Sequence, residues 1–227
     1  PISPHMPLKG EIDSRSVVSF IRNLFPEGRA FELLLETESL SRNNHYAVLK
    51  AISNDTAGVL TFSREDNREQ VVQLRKITDD EINQRMETNQ DLVIWDGKFR
   101  LSVAGLQDKL NVYIDEKDDI YLADGVYSST HILKFSSQKS KTVVINELFC
   151  MRLASAIGLD EANVNLRKIL LHNVLVVERF DRRIKEAGVE KRHIIDSCQA
   201  LDLPPELKYE QNFGSGRDVA HIRDGVS

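Results

Sequence analysis

Cysteine is almost missing from this sequence, with two in 227 residues, Cys150 and Cys198. Two cysteines build no disulfide framework and have no zinc-ligand spacing, which fits a reducing, cytoplasmic compartment. Cys150 falls in an apolar helical pattern and reads as a small buried hydrophobe. Long hydrophobic runs are also missing. None approaches the roughly 20 residues of a membrane span, and no charged stretch followed by an apolar one marks a signal peptide. Positive charge is in deficit, with 30 Lys and Arg against 35 Asp and Glu for a net charge of −5. That excludes a chain-wide basic surface for nucleic acid and leaves room only for a local patch. Proline is scarce, and three of the six lie within residues 1–11, which read as an extended lead-in.

What is present is an ordinary soluble composition, 41% hydrophobic and 29% charged. The length accommodates one large domain or two small ones with a proper core. The chain begins Pro-Ile-Ser-Pro-His-Met-Pro and stops at Arg223-Asp224-Gly225-Val226-Ser227, and it reads as a piece excised from a longer protein. Ser14 is placed to cap a helix carrying Val17, Val18, Phe20, Ile21, Leu24 and Phe25, ended by Pro26. A second helix follows Gly28 with a Phe31, Leu34, Leu35, Leu40 stripe, and a third carries Tyr46, Leu49, Lys50 and Ile52. Residues 58–62 read as a short strand and 63–76 as a charged, solvated loop. Thr78 opens a capped helix to about Glu87, with Asp79, Asp80 and Glu81 suited to its dipole. His5 and His45 stand alone and read as surface or core histidines.

From Leu92 the texture becomes β-rich, with strands expected at 92–95, 99–103, 109–115, 118–122 and 130–136. A helix over 143–157 follows, with Val144, Leu148, Met151, Leu153 and Ile157 on its buried face and Gly158 at its C-cap. Two more strands come at 163–168 and 174–179, the second apolar on both faces and central. Residues 99–109 are the organising stretch: a strand, the small pair Ala104-Gly105, then Lys109 opening the next strand. With one glycine this is neither a Walker loop nor a three-glycine kinase loop, and on these residues alone a plain hairpin is the favoured reading. The order of parts says more. A small-residue loop, Lys134 on a later strand, Glu147 on a helix and then an apolar strand running into an exposed linker is the order of a kinase-like nucleotide lobe. Each residue keeps a structural alternative. Lys134 can snorkel from an edge strand, Glu147 can be a solvated helix charge, and Asp181 can pair with Arg182 or Arg183.

The stretches Ser102-Val103-Ala104-Gly105-Leu106-Gln107-Asp108-Lys109, Thr130-His131-Ile132-Leu133-Lys134, Asn146-Glu147 and Val177-Glu178-Arg179-Phe180-Asp181-Arg182-Arg183 together resemble the HipA family of bacterial serine/threonine kinase toxins. Leu203-Pro204-Pro205 through Lys208-Tyr209-Glu210 and Gly214-Ser215-Gly216 resemble it as well. The resemblance implies an α+β fold: a protein-kinase-like N-lobe of the phosphatidylinositol-kinase branch, with an added, mostly helical N-terminal subdomain and the C-terminal catalytic lobe largely absent. Residues 1–91 would be the remainder of that subdomain, 92–183 the nucleotide-binding N-lobe, and 184–227 a linker and the start of the C-terminal lobe. It implies ATP and Mg2+ as cofactors and a HipB-like helix-turn-helix antitoxin as partner, with operator DNA bound through that complex. It also implies a cytoplasmic setting without membrane and glutamyl-tRNA synthetase as the protein substrate, whose phosphorylation arrests growth.

Carried over residue by residue, Ala104, Gly105, Leu106, Gln107, Asp108 and Lys109 form the nucleotide loop, and Lys134 contacts the ATP phosphates. Glu178, Arg179 and Phe180 run along the adenine, with Glu178 and Phe180 offering backbone groups. Asp181 takes the ribose, and Ser102 matches the autophosphorylated serine whose modification ejects the loop. Glu147 as partner of Lys134 rests on kinase-like logic. The family's Asp-Gly-His-x-Lys-Asn catalytic loop is absent from the sequence. The base and the magnesium ligands are therefore expected after Ser227, no catalytic residue or metal ligand is assigned within the chain, and the chain alone is expected to be inactive. Two other classes stay open: a non-catalytic module that only contacts an antitoxin or DNA complex, and an ATP-dependent transferase acting on a lipid or small molecule.

Overall fold

The computed structural model describes residues 1–52, 55–62, 74–100, 107–122, 127–136, 142–186 and 188–209. Three helices open the chain, α1 (Ser14–Arg22), α2 (Gly28–Thr37) and α3 (His45–Ala51). The cap of α1 is Asp13, one residue before the expected Ser14, because its carboxylate accepts the Arg15 N–H at 2.9 Å. Residues 1–11 are not a loose lead-in throughout. A tight turn bridges Ser3 and Met6, and Met6 is buried against Phe20 and Leu24. Leu60 and Phe62 pack on the same cluster, so the 58–62 run spends its apolar side chains on α1 and joins no strand ladder among the described residues. A second cluster of Phe25, Leu34, Val48 and Ile52 takes in Val93 and Phe99. Phe99 belongs to a hairpin of β2 (Ile94–Trp95) and β3 (Lys98–Phe99), turned by Asp96 at φ 51° and Gly97 at φ 70°. Two successive positive φ values match the twist of a two-residue hairpin, which is why Asp-Gly sits there.

The sheet is antiparallel throughout. Its strands are β1 (Arg75–Ile77), β4 (Lys109–Ile114), β5 (Ile120–Leu122), β6 (His131–Phe135), β7 (Val164–Ile169) and β8 (His172–Glu178), in the order β1-β5-β4-β6-β8-β7. β1 lies in a stretch that reads as a charged loop in sequence; its Ile77 is buried and it pairs with β5, so tertiary pairing overrides local polarity. β8 is an inner strand between β6 and β7, in keeping with its double-sided apolar run.

Strand alternation divides the sheet into two faces. Leu110, Val112, Leu133, Phe135 and Val174 meet Ile82 of α4 (Asp79–Glu87) and Trp95 on one face. Val164, Leu175 and Val177 meet Val144 of α5 (Val143–Ala156) on the other. α4 begins in a capping box, with the Thr78 hydroxyl accepting the Glu81 N–H at 3.2 Å and the Glu81 carboxylate accepting the Thr78 N–H at 2.9 Å. Thr78→Ala is expected to lower stability by about 1 kcal/mol, read as a lower urea midpoint with an unchanged slope.

On α5, Val144, Leu148 and Met151 face the sheet as expected, but Leu153, Ile157 and Phe149 are exposed and so is Cys150. The helix is apolar nearly all round, so periodicity alone had no face to select. After β8 the chain is more than a linker. β9 (Arg182–Lys185) and β10 (Gly188–Lys191) form a hairpin, followed by α6 (Ser197–Ala200) and a 3-10 turn at Pro205–Leu207. Among the described residues no helix is long and apolar enough to cross a membrane.

Candidate functional site

The α5-side face of the sheet holds the polar residues that strand alternation takes off the hydrophobic face. Lys109 on β4 stands directly opposite Lys134 on β6. Like charges in that position repel, and both lysines are drawn from water. Lys109 is 4% exposed, and its ammonium titrates down at about 8, first because burial penalises the charge and then because Lys134 repels it. Lys134 Nζ donates to a carboxylate oxygen of Glu147, which α5 presents one turn into the helix. Two residues further along β4, Asn111 is 5% exposed and neither its amide nitrogen nor its amide oxygen has a hydrogen-bond partner. Gln107 and Asp108 are tied to the end of β6: Gln107 Nε2 donates to the Phe135 carbonyl at 3.1 Å, and the Phe135 N–H donates to the Asp108 carbonyl at 3.0 Å.

A second wall comes from outside the sheet. Glu27, ahead of α2, takes an ion pair from Lys208 at 2.9 Å and a hydrogen bond from the Tyr209 hydroxyl at 2.5 Å. Burial works to raise the Glu27 carboxyl, but these two donors outweigh it and the group titrates low, while the Tyr209 hydroxyl, partly desolvated and bound to a carboxylate, is pushed up to about 12. Glu27 and Lys208 both act electrostatically on Lys109, so the helical unit and the chain after α6 converge on the lysine pair.

The 178–181 segment alternates strictly. Glu178 and Phe180 point out, Phe180 at 71% exposure, while Arg179 and Asp181 are buried. The inward pair joins a buried ionic network. Arg179 Nε and Nη2 donate to the Asp181 carboxylate at 2.9 and 2.8 Å, and Arg179 Nη1 donates to the Ser129 hydroxyl at 2.9 Å. Arg182 donates to Asp181 Oδ2 at 2.6 Å, to Asp55 Oδ1 at 3.2 Å and to the Thr56 carbonyl at 2.6 Å. The Gly58 N–H donates to Asp181 Oδ2 at 2.8 Å. Gly58 has φ +75°, and a Cβ there would lie 3.0 Å from the Ile194 carbonyl oxygen, so this close approach requires glycine. Burial works to raise the Asp181 carboxyl, but the arginines outweigh it and hold the group below the usual carboxylate range. Lys191, half-buried beside the network, is lowered to about 8, first by desolvation.

Lys109, Lys134 and Glu147 are thus brought together, with Gln107 and Asp108 at their edge, and Glu178 and Phe180 face outward at the far end of the same sheet. Two of the residues expected at the nucleotide face inward. Asp181, expected at the ribose, is 3% exposed with its carboxylate taken up by two arginines and a backbone N–H. Arg179, expected along the adenine, turns inward with it. The physical reason is the turn after β8: closed by the Arg182 N–H donating to the Arg179 carbonyl at 3.2 Å, it folds Asp181 back beside Arg179 and Arg182. Ser102, Ala104, Gly105 and Leu106 lie outside the described residues. Asn111, Glu27 and Lys208 went unread in the sequence. Asn111 alternates with Leu110 and Val112 and looks like a solvent-facing strand residue, while the other two reach the site only through tertiary packing.

The sequence matches the HipA-like C-terminal domain over residues 101–227 and the HipA N-terminal domain over residues 1–63. It is 46% identical over 231 aligned residues to the serine/threonine-protein kinase toxin HipA of Shewanella oneidensis, covering 100% of this chain and 53% of that protein. It is 33% identical to the putative kinase Y4mE of Sinorhizobium fredii, covering 94% of this chain and 53% of that protein. Among solved structures, HipA of Shewanella oneidensis MR-1, in a complex of the toxin–antitoxin system with HipB and its operator DNA, superposes with a TM-score of 0.83 at 44% identity, covering 100% of this chain and 54% of that one. The chain spans about half the length of the relatives it matches. With both domain matches in order and identity running along its whole length, the chain belongs to the HipA family.

Proposed function

We propose that this chain is the nucleotide-gripping half of a HipA-like serine/threonine protein kinase, arranged as a kinase-like N-lobe with the helical unit packed beside it. The observation that carries the reading is the Lys109–Lys134 pair, with Lys109 buried and Lys134 partly so. Two cations opposite each other on a sheet, with Glu147 orienting Lys134, concentrate positive charge that a polyphosphate neutralises. The outward Glu178 and Phe180 at the other end of the same strands are placed to offer backbone groups to a base. The donor set therefore fits ATP. A bound nucleotide supplies the phosphoryl group, while the residues of this chain neutralise its phosphates and orient it. Among the described residues no group of three His, Cys, Asp or Glu side chains is arranged to hold a metal ion.

The kinship to a HipA crystallised with HipB and operator DNA supports a HipB-like antitoxin and its operator as partners of the whole protein. A serine of glutamyl-tRNA synthetase remains the proposed substrate. Titration calorimetry with ATP on this chain tests the core of the reading. One-to-one binding is expected, with no autophosphorylation and no phosphate release at high ATP and magnesium. Absence of binding would remove the nucleotide site, and turnover by a clean preparation would place catalytic groups inside residues 1–227.

The lysine pair also makes the binding pH-dependent. Below pH 8 Lys109 is protonated and attracts phosphate; as pH rises through 8 it becomes neutral and ATP affinity is expected to fall. Near pH 8 binding should take up protons, visible as a calorimetric heat that depends on the buffer's ionisation enthalpy. For stability the sign is opposite. The unfolded lysine keeps its proton to about pH 10.5, so between 8 and that value the unfolded chain holds more protons, and this group's contribution to stability rises with pH.

A further inference from the structure

We infer that Asn111 is a nucleotide-binding residue that recognises the sugar hydroxyls of ATP, in a structure where the Asp181 carboxylate is engaged by Arg179 and Arg182. The inference rests on the nucleotide site proposed above and names a residue of that site. Asn111 is on β4 in register with Ile132 of β6, on the same face as Lys109 and Lys134. Strand rise puts it about 7 Å from Lys109 along β4. The direction is set by the ladder: moving from Lys134 to His131 on β6 leads to Glu178 on β8, where the outward linker begins. Asn111 therefore lies between the lysines that take phosphate and the segment that faces the base, which is where the sugar of a bound nucleotide sits.

Its chemistry matches that position. An amide carries one acceptor oxygen and two donor hydrogens, and a ribose hydroxyl both donates and accepts. Buried polar groups are nearly always paired inside folded proteins, so an amide with both ends unpaired at 5% exposure requires an explanation. A purely structural Asn would be bonded to backbone or to a neighbouring side chain, as Asn23 is through its Nδ2 to the Ser19 and Leu203 carbonyls at 3.0 and 2.9 Å. Asn111 has no such bond, while the carboxylate expected at the sugar is committed to Arg179 and Arg182.

The test compares ATP with 2′,3′-dideoxyATP, which keeps base and phosphates, in the unaltered chain and in Asn111→Val and Asn111→Ala. Valine suits a strand and removes the unpaired groups, so its thermal stability should equal or exceed that of the parent; alanine controls for shape. The unaltered chain is expected to prefer ATP by roughly 3- to 10-fold, the worth of one net hydrogen bond. Both variants should lose that preference, binding ATP more weakly while binding 2′,3′-dideoxyATP as the parent does. Equal ATP affinity in parent and variants, or a loss shared equally by both nucleotides, would overturn the assignment and leave the nucleotide site standing. No binding of either nucleotide by the unaltered chain would overturn both.

Discussion

Lys134→Met is expected to weaken ATP binding by roughly 10- to 150-fold, the range of a charge-assisted hydrogen bond worth about 1.5–3 kcal/mol. The side chain is partly enclosed, and Glu147 keeps it pointed along the face it shares with Lys109. Methionine keeps length and apolar bulk, so the loss is one of charge. The same substitution removes the like charge that helps to depress Lys109, whose ammonium should then titrate above 8. Calorimetry reads the affinity, and NMR titration of the Lys109 side chain reads the second effect. A variant that binds ATP as the parent does would make Lys134 a structural residue that only pairs with Glu147. Glu147→Gln, which frees Lys134 and keeps its charge, is the useful companion: its effect should be smaller, because orientation is lost and the cation is not.

The largest effect on folding is expected at Asp181, away from the lysines. Asp181→Ala removes the carboxylate that Arg179 and Arg182 share and strips that acceptor from the Gly58 N–H. Removing one partner of a buried ion pair costs about 3–5 kcal/mol because the remaining charges stay buried without compensation. For a chain of this size that corresponds to a fall in melting temperature of roughly 6–20 °C. The loss should appear without nucleotide present, which a residue serving only the ribose would not produce. Glu190→Ala is the control: its pair with Lys185 is exposed at 3.6 Å and should be worth less than about 1 kcal/mol.

The same network gives the Asp181 region a role in architecture. Asp55, Thr56 and Gly58 come from the end of the helical unit, and Arg179, Asp181 and Arg182 from the end of the last inner strand. Because these groups are buried, removing either side would leave charge without its partner. The helical unit and the sheet are therefore joined by more than apolar contact.

Much of this protein was determined by the sequence alone, and the reason is local. The helices α2, α3, α4 and α5 and the strands β4 to β8 carry strong periodicity or clear punctuation. The Thr78 capping box and the Asp96-Gly97 turn are signals that act within four residues. The order of Lys109, Lys134, Glu147 and Glu178 was readable for the same reason: it needs only strand and helix spacing. What the tertiary structure decided is which side each residue shows and what meets it there. β1 became a strand because β5 was available to pair with it. Leu153 and Ile157 turned outward because an all-round apolar helix has no preferred face until the sheet takes one. Asp181 turned inward because the turn after β8 placed it beside two arginines and the Gly58 N–H, and a carboxylate surrounded by three donors is held there more firmly than solvent holds it. Asn111 lost its solvent because β4 came to lie inside the sheet, with its polar face turned toward α5, a placement set by long-range pairing that no stretch of residues around it encodes.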